Sequence, residues 1–115
     1  MKIVITAKSG DAAVVAAVRG VIGLPVAKAK LLLETGGVLL EGEPVADEDL
    51  PAQMRGLLQV LQRHHVDPVI YELADDAELA DATDADRITP DAVERIIRRG
   101  EQVGEQETRK SRRGE

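Results

Sequence analysis

His64 and His65 are the only histidines, and side by side they are the first place to look for metal binding or proton transfer. Neighbours in sequence point to different sides of a helix. The pair therefore does not converge on one ion, has no His-x-x-x-His spacing, and has no cysteine in the chain to complete a site. At a helix C-terminus such residues favour the helix dipole when charged. Asp47, Glu48 and Asp49 form a dense carboxylate run. A calcium loop needs alternating oxygen ligands over about twelve residues around a central glycine, and that pattern is missing. The run sits where a helix N-terminus needs acceptors. Ser9 and Ser111, the only serines, lie outside any Gly-x-Ser-x-Gly elbow. Gly20, Gly23, Gly36 and Gly37 fall at helix ends and form no phosphate loop. The expectation is a protein with no catalytic residues, no metal site and no cofactor. What remains is charge carried on helices.

The elements that position those charges follow from periodicity. Residues 1–7, MKIVITA, are short and β-branched and predict a strand. A helix follows from about residue 9 to 22, with Asp11 in its first turn and Val14, Val15, Val18, Val21 and Ile22 on one face. Gly23 stops it. Pro25 suits the first turn of a second helix, with Val26, Ala29, Leu32 and Leu33 as its buried stripe and Gly36-Gly37 as its end. A strand is expected over residues 37–40 and a turn over 41–44. A third helix is expected over 49–64, with Met54, Leu57, Leu58 and Leu61 on its apolar face, and a last strand over 68–73. The order is β-α-α-β-α-β. Three short strands bury themselves only against helices, so the expected fold is a two-layer α+β domain of three helices on a three-stranded sheet, with a short C-terminal helix besides.

Composition narrows the functions. The chain has 115 residues, enough for one domain. Aromatic residues are 1% of it, with Tyr71 alone and no Phe or Trp, so base-stacking platforms are excluded. A net charge of −6 repels phosphate, and neither nucleic acid nor a membrane surface is an expected partner. No apolar run approaches a membrane span. No charged-then-apolar leader opens the chain, and cytoplasm is the expected compartment.

Beyond residue 73 the composition shifts. Residues 75–86 hold six acidic and no basic residues without apolar periodicity, and residues 74–88 read as a solvated acidic linker. Thr89-Pro90-Asp91 starts a helix over 89–104. Its face of Val93, Ile96 and Ile97 has three destinations: the domain itself, a second copy as a homo-oligomer, or a partner's groove. Residues 105–115, with their RKSRR run, read as a disordered charged tail. The Arg95, Arg98, Arg99 and 109–113 cations are diluted by interleaved glutamates, which weakens a nucleic-acid reading.

Residues 12–34, AAVVAAVRGVIGLPVAKAKLLLE, carry a resemblance. Ala17-Val18-Arg19-Gly20, the Gly23-Leu24 turn, Ala29-Lys30 and Leu31-Leu32-Leu33-Glu34 resemble the two-helix signature of the bacterial large-subunit ribosomal stalk protein (L-seven/L-twelve family), in its C-terminal domain. Leu40-Glu41-Gly42 and the helix and strand after it fit as well, so the likeness spans residues 1–73. The resemblance implies a β-α-α-β-α-β fold and a bacterial-type translation protein that binds translational GTPases or the ribosome. It implies contact through Val15, Arg19 and Lys30. Asp11 and Ala16 stand where that family commonly has lysines. The family's N-terminal dimerisation helices and hinge do not precede the domain in this sequence, so a role other than that of an ordinary stalk subunit is expected. The same strand-and-helix arrangement occurs in the adaptor of the Clp protease, whose acidic motif is absent at Lys8-Ser9-Gly10. An adaptor or assembly protein associating through the C-terminal helix is the alternative. The expected partner-facing residues are Val15, Arg19, Lys30, Val93, Ile96 and Ile97.

Overall fold

The computed structural model describes residues 1–44 and 48–100. Strand β1 spans Lys2–Thr6 and helix α1 spans Ala12–Ile22. Asp11 is the N-cap of α1, just outside its first turn, and its carboxylate accepts from the Ala13 N–H at 2.9 Å. Gly23 ends α1 in the left-handed region at φ 70°, donating its N–H to the Arg19 carbonyl. Helix α2, Val26–Thr35, begins after Pro25 and closes on Gly36 at φ 71°. Strand β2, Val38–Gly42, runs two residues further than expected. Helix α3, Leu50–Arg63, carries Pro51 in its first turn, where no N–H is needed. It ends with the Val66 N–H on the Leu61 carbonyl and His65 at φ 58°. Strand β3 spans Val69–Leu73.

The sheet corrects the three-stranded expectation. It has four antiparallel strands in the order β2-β1-β3-β4, with β4 formed by Arg87–Ile88. Leu40 pairs with Ile5, Ile5 with Ile70, and Ile70 with Ile88, so one aliphatic row crosses all four strands. Ile3, Ile5 and Ile70 meet Val14, Val18, Ala29, Leu33, Met54, Leu57 and Leu61 in one cluster. A register shift between Ile5 and Thr6 lets both Leu39 and Leu40 pack toward that cluster. On the other face, Tyr71 lies across from Val4 on one side and Arg87 on the other.

Residues 74–88 contain no buried residue, as a solvated acidic segment should, but they carry local order and their end joins the sheet. Two 3₁₀ turns, Leu79–Asp81 and Asp84–Asp86, lead directly into β4. Each is closed by its own carboxylate: Asp81 accepts from the Glu78 N–H at 3.0 Å, and Asp86 accepts from the Thr83 N–H at 2.9 Å. Aspartates bonding nearby main chain offer an order that leaves no apolar period to read.

Helix α4 is followed over residues 90–100. Thr89 caps it, its hydroxyl accepting from the Ala92 N–H at 3.2 Å. Of the three destinations, α4 takes the first. Val93 is 0% and Ile97 2% exposed within the core, and Ile96 packs against that core. Arg55 of α3 grips Glu94 of α4 with two hydrogen bonds, 3.1 and 2.9 Å, and Arg98 adds a third at 3.1 Å. The Arg55 hydrogen bond, more than any other contact, holds the Glu94 carboxyl below the usual glutamate range. The expected helical residues 101–104, the 105–115 tail and Asp47 lie outside the described residues.

Two predictions follow from the seat of α4. Ile97→Ala should cost about 2–4 kcal/mol of unfolding free energy by denaturant titration, whereas a solvated helix would show almost no loss. Arg55 and Glu94 are each partly exposed, so Glu94→Gln should cost at most about 1 kcal/mol at neutral pH. A carboxylate with a depressed pKa stabilises fully above its unfolded value. The gap between wild type and Glu94→Gln should therefore be constant above about pH 5 and shrink as pH falls through about 4.

A candidate docking cleft between the first two helices

The chain turns through 116° between α1 and α2. Gly23 and Pro25 make that turn possible, one by its left-handed backbone and the other by ending the run of donors. At the far end, the Ser9 N–H donates to the Leu33 carbonyl at 3.0 Å and ties the approach to α1 against the end of α2. Between these two fixings lies a cleft of about 270 Å³ lined by Ala12, Val15, Ala16, Arg19, Val26, Lys30 and Glu34, among others.

Three residues expected to face a partner therefore come together. Val15, 7% exposed, belongs to the core cluster and also lines the cleft. Arg19 of α1 and Lys30 of α2 are exposed, and no ion pair engages either among the described residues. Val26, expected in the buried stripe of α2, is instead 52% exposed at the cleft. It is the first residue of α2, directly after Pro25. Leu31 is 58% exposed as well, so α2 leaves two large aliphatic side chains in water.

The other three expected residues do not join this surface. Val93 and Ile97 are buried in the core and Ile96 is half-buried beside them, so none of the three lies at the cleft. Sequence reading missed Val26 and Glu34 as cleft residues. The signal for Glu34 was available: it lies four residues after Lys30 and so shares its helix side.

Other hollows offer less chemistry. An open one of about 580 Å³ between α3 and α4 includes Arg55, Asp91 and Glu94, and Arg55 and Glu94 already bind each other. Another holds Lys8, His65 and Asp67. His64 does not line it, so the two histidines share no such site. Among the described residues no three His, Asp or Glu side chains converge as metal ligands, and no buried side-chain polar atom lacks a partner. No single helix among them is long and apolar enough to cross a membrane. Comparison with protein-family models, curated proteins and solved structures gives no match.

If Arg19 and Lys30 serve a surface and not the fold, Arg19→Ala and Lys30→Ala should each leave thermal and denaturant stability within about 0.5 kcal/mol of wild type. Val15→Ala should lower stability measurably, since its side chain also fills the core.

Proposed function

We propose that this chain is a non-catalytic protein-interaction module that docks a partner protein in the α1–α2 cleft. One observation carries the reading: two exposed cations that enter no ion pair among the described residues share a cleft with Val15 and the exposed Val26. In a chain of net charge −6, such a spot stands out against an acidic surface. The partner class follows from the resemblance of residues 12–34 to the ribosomal stalk C-terminal domain. It is a translational GTPase, or the ribosome on which such factors work, in the cytoplasm. The β1-α1-α2-β2-α3-β3 order of residues 2–73 supports this reading, because it sets the two signature helices side by side.

The assembly reading, with copies joined by the C-terminal helix, loses its apolar face to the core. What persists of the alternative is an adaptor that uses the same cleft for a partner outside translation.

Titration of labelled protein with a bacterial elongation factor tests the proposal through backbone amides. Shifts should centre on Val15, Arg19, Val26 and Lys30, and Arg19→Ala or Lys30→Ala should weaken binding roughly threefold to tenfold. Unmoved amides in α1 and α2 would exclude the factor as partner.

A further inference from the structure

The cleft is not uniformly basic. Glu34 lines it together with Arg19 and Lys30, and it too enters no ion pair among the described residues. Lys30 and Glu34 are one turn apart on α2, yet they do not close on each other. Their place in the fold separates charge along the cleft. Glu34 belongs to the last turn of α2, which the Ser9–Leu33 hydrogen bond fixes beside the approach to α1. Arg19 belongs to the last turn of α1, at the other end, next to the Gly23–Pro25 corner. The helix termini do not cancel this polarity. Each end of the cleft holds one helix N-terminus and one C-terminus, whose partial charges oppose each other. Lys8 lines a different hollow with His65.

The walls also select a ligand shape. Apart from Ser9 and Gly10 at one end they are α-helical, so their mid-helix N–H and C=O groups are already paired and offer an extended peptide little to bond. A helix brings its own main-chain bonds satisfied and needs only side-chain contacts.

We infer that the cleft takes a short amphipathic helix of a partner protein, with aliphatic side chains on Val15 and Val26, an acidic residue toward Arg19 and Lys30, and a basic residue toward Glu34. Glu34 is then a specificity-determining residue. It rejects wholly acidic helices that the two cations alone would accept. Ala12 to Arg19 spans seven residues, about 10 Å of helix rise. A ligand helix with its acid and base about seven residues apart on one face matches that length of wall. This inference rests on the docking reading above.

Two synthetic helical peptides test it, rich in alanine and leucine and alike except at one position. Both carry a glutamate, and seven residues later one has lysine and the other a second glutamate. Wild type should bind the lysine peptide about fivefold more tightly at low salt, with the preference shrinking as salt screens it. Glu34→Lys should invert the ranking, and Glu34→Gln should narrow it. Glu34 is exposed and enters no ion pair among the described residues, so both variants should fold. An unchanged ranking in Glu34→Lys would overturn the role of Glu34 while leaving docking intact. Failure of both peptides to move amides of α1 and α2 would instead overturn the docking of helices in this cleft.

Discussion

The row Leu40, Ile5, Ile70 and Ile88 is the constraint on which the structure depends. It gives each of four strands one aliphatic side chain on the helix-facing side, and the side chains covering it cannot be rings, because the chain has no Phe or Trp. Apolar burial scales with area, and small aliphatic residues supply little each. Coverage therefore has to come from many positions. Four helices contribute Val14, Val18, Ala29, Leu33, Met54, Leu57, Leu61, Val93 and Ile97 to it. The β4–α4 extension is one of these suppliers, which is why it belongs to the fold and does not trail from it.

The same constraint shapes the candidate site. α1 turns Val14 and Val18 inward and leaves Ala12 and Ala16 outward, at the cleft. α2 turns Ala29 and Leu33 inward and leaves Val26 and Lys30 at the cleft. A helix dedicated to one buried stripe necessarily shows a second face. Because α1 and α2 meet at a corner, their second faces form a concave surface instead of two separate ridges.

Much of this was legible from sequence. Capping residues and glycine stops located α1, α2 and α3 closely, since Asp11, Gly23, Pro25, Gly36 and Pro51 act locally. Their order followed from those boundaries, whereas the grouping of Val15, Arg19 and Lys30 came from the resemblance carried by residues 12–34. Two features were not legible. Residues 75–86 take their order from Asp81 and Asp86 bonding to main chain a few residues back, and such bonds leave only an acidic composition to see. The seat of α4 depends on a tertiary partner, Arg55, 39 residues away from Glu94, and helical periodicity marks an apolar face without saying what covers it. Val26 shows the same limit on a smaller scale. Its spacing fits the stripe, yet at the first residue of α2 it stands exposed.

Tyr71 gives the fold an unusual optical property. It is the one tyrosine in a chain without tryptophan, so near-ultraviolet absorption and intrinsic emission come almost entirely from this ring. Strand alternation puts it on the sheet face opposite Ile70, half-buried and across from Arg87 of β4. Its light therefore reports on the back of the sheet and on the fourth strand's attachment, while the helix-covered core is spectroscopically dark. In this protein, loss of the tyrosine signal and loss of helical circular dichroism observe two different surfaces of one sheet, and their agreement would measure how tightly the two are coupled.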